Sequence, residues 1–247
     1  MNYKKIIIRI LVLLFSLTQP LFTLLVSSNS FNDNGKTEPF IIPAGYTFII
    51  WGIIIVGSVL YGFLQILPSS YKESLYDEIS IFSILTFIGF DLWLICAKEQ
   101  LLALTVLIFI FMGTFLFVIY CKIIDNPQKE FKKRIVYGAF SLYFGWTTLA
   151  VFANIAAALS FYGLHVYNLT GVLWQFFILI LATITSYKMF KGFHYPVLYF
   201  LTILWAFVGI FVNTLGLTSE MLLLNIVVIL ANIFLLITFI IGKLGGE

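Results

Sequence analysis

Charge is scarce in this chain. Asp, Glu, Lys and Arg make up 10% of its 247 residues, against about 25% in an ordinary soluble domain. The hydrophobic share is 62%, more apolar surface than a domain of this length can hide from water. A water-soluble fold is excluded. Cysteine is almost missing: Cys96 and Cys121 fall at opposite ends of neighbouring apolar runs, about 30 Å apart at helical rise, so no disulfide is expected. The two histidines, His165 and His194, bracket an apolar run and cannot share a metal, so no metal site is expected. No glycine-rich phosphate loop, Gly-x-Ser-x-Gly elbow or Cys-x-x-Cys pair occurs. Neither a cofactor nor a nucleic-acid partner is therefore expected.

What is present is apolar length. Runs of about 20 residues, enough for one bilayer crossing, extend over Ile6 to Val26, Tyr46 to Leu67, Ile79 to Ala97, Leu101 to Ile123, Ile135 to Leu159, Gly171 to Phe190, Tyr195 to Leu215 and Ser219 to Ile241. They are apolar on every side, whereas barrel strands would alternate every second residue. The fold class expected is all-α, a polytopic membrane bundle of about eight transmembrane helices. The tight turns at Lys98 to Gln100 and Lys191 to His194 either separate two helices or kink a re-entrant pair.

Basic residues near span ends are retained on the cytoplasmic side. With the N-terminus inside, Lys4, Lys5, Arg9, Lys72, Lys122, Lys129, Lys132, Lys133, Arg134, Lys188, Lys191 and Lys243 lie inside and only Lys36 and Lys98 outside, which accounts for all 14. Gaining or losing one helix would scramble that split. The localisation expected is a bacterial inner (cytoplasmic) membrane with both termini cytoplasmic. The first run could alternatively be a signal peptide cleaved near Val26-Ser27-Ser28, although it is longer than a usual hydrophobic core of that kind. Asn168-Leu169-Thr170 matches a glycosylation acceptor.

A few residues do not belong in lipid. Asp91 is the one acid well inside a run, where a charge costs about 2.5 to 3.5 kcal/mol at a helix centre. It reads either as a ligand or proton site facing a cavity, or as a carboxyl bonded to a neighbouring helix. Asn154, Asn213, Asn225, Asn232 and Gln175 also need partners, with interhelical bonding the plainer reading. Trp51, Asp91, Trp93, Asn154, Trp174, Gln175, Asn213 and Asn225 share the outer half of the expected bundle, with Trp146 and Trp205 near its middle. An interfacial aromatic belt explains part of this. An aromatic pocket with a few polar groups, opening outward beneath the loop Ser27 to Pro43, explains the amides and the carboxylate too. Ala150, Ala153, Ala156, Ala157 and Ala158 give the fifth helix a small face suited to close packing.

Three stretches resemble the TspO/MBR family of tryptophan-rich sensory proteins, related to the translocator protein. Tyr143-x-x-Trp146-x-x-x-Ala150-x-x-x-Asn154 resembles the family's fifth-helix pattern, with Leu142 where proline is usual. Pro43-Ala44-Gly45-Tyr46-Thr47-Phe48-Ile49-Ile50-Trp51 is similar to the Pro-Pro-Gly-Trp-x-Phe-x-x-x-Trp entry, one residue shorter. Phe90-Asp91-Leu92-Trp93 stands where the family has Asn-x-x-Trp. The likeness is closest to long bacterial members. It implies residues 1–42 as a first transmembrane helix with an outer lid loop, 43–190 as a TspO-like five-helix core, and 191–247 as two additional C-terminal helices. It also implies a cavity for tetrapyrroles, sterols or other flat hydrophobic molecules, lined or braced by Trp51, Trp93, Tyr143, Trp146 and Asn154. Tyr46, Phe48, Asp91 and Trp174 complete the expected ligand-binding set. Asp91 departs from the pattern and would disfavour a porphyrin's propionates.

Three functions follow. The first is a sensory or regulatory protein that holds a flat hydrophobic ligand without transforming it. The second is a proton- or cation-coupled transporter of a small amphipathic molecule, using Asp91; Trp205-x-x-x-Gly209-x-x-x-Asn213 echoes Trp146-x-x-x-Ala150-x-x-x-Asn154 as an old duplication would. The third is an enzyme working through Trp or Tyr radicals, for which no catalytic residue or acid-base pair is available. The partners expected are the hydrophobic ligand, membrane lipids and, as an alternative to a monomer, a second copy of the chain.

Overall fold

The computed structural model describes residues 3–27, 38–126, 130–215 and 222–245. Helices occupy α1 Tyr3–Ser27, α2 Ile50–Ile66, α3 Ser74–Lys98, α4 Leu102–Ile124, α5 Phe131–Phe161, α6 Leu169–Gly192, α7 Val197–Thr214 and α8 Leu222–Gly245. Short 3-10 turns at Gly45–Ile49 and Pro68–Ser70 precede and follow α2. All eight, α2 being counted with the turn before it, are long and apolar enough to cross a membrane, and no strand occurs among the described residues. The protein is an integral membrane helical bundle, as the apolar runs require. Both tight turns are genuine reversals: Gln100 (φ 57°) and His194 and Tyr195 (φ 58° and 57°) take the left-handed conformation that lets a helix end abruptly.

The chain forms two compact units, Met1–Asn32 with Ile50–Phe144, and Asp33–Ile49 with Gly145–Glu247. In the first, α1 packs on α2 and α3, and α3 packs on α4. Gly62 of α2 makes the α1 crossing close: a Cβ there would lie 2.4 Å from Ser16 Oγ and 3.2 Å from Leu13 Cα. The first apolar run packs in this unit as α1. Arg9, only 2% exposed, fixes the α2–α3 connection. Its guanidinium donates to Asp77 Oδ1 (3.0 and 2.8 Å), to the carbonyls of Gln65 (3.0 Å) and Ser70 (2.8 Å), and more weakly to that of Glu73 (3.3 Å). The rings of Tyr71 and Tyr76 flank it at 5.6 and 5.7 Å. Lys5–Asp77, Lys122–Glu78 and Lys133–Glu73 pairs surround this end of the unit.

In the second unit α6 and α7 pack on α8. Residues 38–49 lie along α7 and α6 as a strap. Ala44 N–H donates to Gly209 O (3.1 Å), and the approach is close because a Cβ on Gly209 would meet Thr47 Cγ2 at 2.3 Å. Trp205 Nε1 donates to Thr47 O (3.0 Å), Asn213 Nδ2 to the carbonyls of Phe40 (3.3 Å) and Ile42 (3.0 Å), and Phe40 N–H to Gln175 Oε1 (2.7 Å). Two amides that read as interhelical bonds from sequence therefore clamp loop backbone instead. An extended segment has no ladder of its own, so its buried carbonyls take side-chain donors. Residues 28–37, the greater part of the expected lid, lie outside the described residues.

Asn213→Leu removes the donor to two carbonyls and is expected to cost about 1 to 3 kcal/mol. Cleavage at Glu38 by a glutamate-specific protease should accelerate in the variant. An unchanged rate would show that Asn213 does not hold the strap.

Candidate functional site

The expected ligand residues divide between the two units. Trp51, Asp91, Trp93 and Tyr143 belong to the first; Tyr46, Phe48, Trp146, Asn154 and Trp174 belong to the second.

The first group forms a dense ring cluster contributed by α2, α3, α4 and α5. Trp51, 8% exposed, is the second residue of α2. Its ring centroid lies 4.9 Å from Phe90, 5.3 Å from Trp93, 5.8 Å edge-on from Tyr143 and 6.4 Å from Phe109. Trp93 meets Phe109 at 5.2 Å in an edge arrangement, and Tyr143 stacks near-parallel with Phe87 at 6.5 Å. Such tilted and edge-on contacts are those that the ring quadrupole favours. Phe90, which replaces the amide of the resembled motif, is therefore a wall of the cluster.

Asp91 projects from α3 one residue further on, about 100° around the helix, toward α1. It is 7% exposed, and Oδ2 accepts a hydrogen bond from Thr18 Oγ1 at 2.5 Å. Its other oxygen, Oδ1, is buried without a hydrogen-bond partner among the described residues. Tyr143 touches Trp51, which touches Phe90, the chain neighbour of Asp91. The Tyr143 hydroxyl and both ends of the Gln19 amide are likewise buried and unpartnered among the described residues.

Sequence reasoning missed Thr18 and Gln19. A signal existed: Gln19 is an amide inside an apolar run, directly before Pro20, which cannot continue the backbone ladder. The recurrence of Arg9, Val12, Ser16 and Gln19 as fully or nearly fully buried positions also traces one face of α1 at helical spacing.

The second group is pairwise. Phe48 meets Trp146 edge-on at 5.5 Å, and Tyr46 meets Trp205 at 5.6 Å. Trp174 Nε1 donates to His165 O (3.0 Å), while Asn154 Nδ2 bonds to Ala150 O (2.8 Å) of its own helix. Tyr46 and Phe48 are 49% and 38% exposed. Asn168 is the N-cap of α6, its side chain accepting from Gly171 N–H at 2.8 Å.

Residues 4–241 match the model of the family described as TSPO-like protein, and the chain belongs to that family. No curated protein and no solved structure matches it.

Proposed function

We propose that this TSPO-like protein binds a flat hydrophobic ligand, tetrapyrrole- or sterol-like, at an aromatic site within the membrane, and acts as a sensory or regulatory protein. The observation that carries this reading is the cluster of Trp51, Phe90, Trp93, Phe109 and Tyr143 in the first unit. Large rigid rings give a flat ligand extensive contact at small entropic cost. The family supports the same reading. The uneven distribution of the 14 basic residues supports cytoplasmic termini in a bacterial inner membrane. A lipid-like molecule would enter from the bilayer.

A second reading, a proton- or cation-coupled transporter, is favoured by Asp91, a buried carboxylate with one oxygen unpartnered among the described residues. Intramembrane carboxylates commonly serve proton relays. The two readings part at Asp91→Asn, which keeps the size and removes the charge. A binding protein should keep its affinity for a neutral flat ligand within a few fold, read by tryptophan quenching with protoporphyrin dimethyl ester. Uptake into proteoliposomes driven by a pH gradient and lost in Asp91→Asn would replace the sensory reading with the transporter. Absence of saturable quenching in the wild type would end the ligand-binding reading itself.

A further inference from the structure

Buried polar groups in folded proteins are almost always hydrogen-bonded. Among the described residues, the first unit departs from this at the Gln65 amide nitrogen of α2, beside the Arg9 network, and at three further side chains on three other helices. Gln19 of α1 is fully buried, and neither its amide oxygen nor its nitrogen has a partner among the described residues. Asp91 of α3 has one free oxygen, and the Tyr143 hydroxyl of α5, in a residue 1% exposed, is unpartnered on the same terms. Thr18, the neighbour of Gln19 in the chain, reaches Asp91, and Tyr143 meets Trp51, which in turn meets Phe90, the chain neighbour of Asp91. All belong to one compact unit.

The donor and acceptor inventory limits what could satisfy this set. An ionised Asp91 Oδ1 can only accept, whereas the Gln19 amide and the Tyr143 hydroxyl can each donate as well as accept. No described lysine, arginine or histidine pairs with Asp91 among the ion pairs of the described residues, which are formed by Asp77, Glu78, Glu73 and Glu130. An anionic head would be repelled, and a purely apolar ligand would leave the carboxylate charge unanswered. A cationic nitrogen answers the carboxylate, and neighbouring aromatic faces attract it further.

We propose that Asp91, Gln19 and Tyr143 form a receptor for the positively charged nitrogen of an amphipathic aromatic ligand, whose rings associate with the Trp51, Phe90 and Trp93 cluster. The proposal rests on the ligand-binding reading and adds a ligand class to it: a flat aromatic amine or quaternary ammonium compound. Asp91 supplies the countercharge, Gln19 and Tyr143 oxygen dipoles that can turn toward the cation, and the indoles the apolar surface.

The test uses two molecules of nearly the same shape, 2-(trimethylammonio)naphthalene and 2-tert-butylnaphthalene, which differ by one charge. Both are titrated by tryptophan quenching into the full-length protein in nanodiscs of zwitterionic lipid, with empty nanodiscs subtracted for partitioning. The cation should bind at least tenfold more tightly than its isostere, and Asp91→Asn should abolish that preference while the neutral compound binds as before. Gln19→Leu, which retains the carboxylate, should retain most of the preference. If Asp91→Asn does not fold, Asp91→Glu keeps the charge one methylene away and should keep a reduced preference. Equal binding of the two isosteres by the wild type overturns the cationic site and leaves the ligand-binding reading intact. Saturable binding of neither overturns both. A preference that persists undiminished in Asp91→Asn shows that the charge is read elsewhere and overturns this assignment.

Discussion

Arg9→Ala is expected to lower the stability of the protein by about 3 to 5 kcal/mol, the cost of breaking a buried ion pair by removing one partner. Arg9 is 2% exposed, and its five hydrogen bonds join α1 to the last turn of α2, the connecting loop and the first turn of α3. Its loss leaves the carbonyls of Gln65, Ser70 and Glu73 without that donor, each an unsatisfied acceptor where it is buried. Asp77 keeps Lys5 at 2.7 Å, but that lysine is half-exposed and replaces only part of the interaction. Arg9→Lys should rescue little, because an ammonium cannot reproduce the planar fork that serves a carboxylate and three carbonyls together. Unfolding in mixed micelles by increasing denaturing detergent measures the loss. The double variant with Asp77→Ala should lose less than the sum of the singles. A stability within 1 kcal/mol of wild type for Arg9→Ala would mean that this network is replaceable by solvent.

Trp51→Ala is expected to weaken binding of a neutral flat ligand by about 1 to 3 kcal/mol, the scale of one large buried apolar side chain. That corresponds to roughly 5- to 150-fold in affinity. Trp51 touches four rings at 4.9 to 6.4 Å, so its removal takes away a wall and loosens its neighbours. The same change also opens a hole in the unit, for which losses of about 3 to 5 kcal/mol in stability are usual. Trp51→Phe is therefore the necessary companion: it keeps an aromatic face, should fold, and should show an intermediate loss. Trp205→Phe serves as the comparison, since Trp205 belongs to the second unit and bonds to Thr47 O; its affinity should match wild type. Equal affinity of Trp51→Ala and wild type would remove Trp51 from the ligand site.

The helices were legible because membrane solvent imposes a one-dimensional rule: each crossing needs about 20 apolar residues whose backbone bonds close within the helix. The largest disagreement at a helix start is instructive. The third apolar run starts at Ile79, yet α3 starts at Ser74 and includes Asp77 and Glu78. Hydropathy stops at those charges, while the helix continues because Arg9, Lys5 and Lys122 neutralise them and because an acid suits the first turn of a helix. At the candidate site, Trp51, Trp93 and Tyr143 could be named from spacing, because indoles and a tyrosine in recurring positions are rare enough to be recognised. Gln19 had only its place before Pro20 to mark it, a weaker signal than a recurring indole.

The sequence alone determined that this protein is an all-helical membrane bundle with eight long apolar helices, and its aromatic spacing pointed to the TSPO-like family. Those properties depend on composition and on periodicity within one segment, which local chain physics fixes. The tertiary structure decided where each polar side chain spends its hydrogen bonds. Arg9 finds partners 56 to 68 residues away, Asp91 finds Thr18 at a separation of 73, and Asn213 finds the strap at 171 to 173. No pattern along the chain encodes such pairings, since each arises when packed helices bring distant residues to the same depth, and an apolar surrounding leaves a buried donor or acceptor few alternatives.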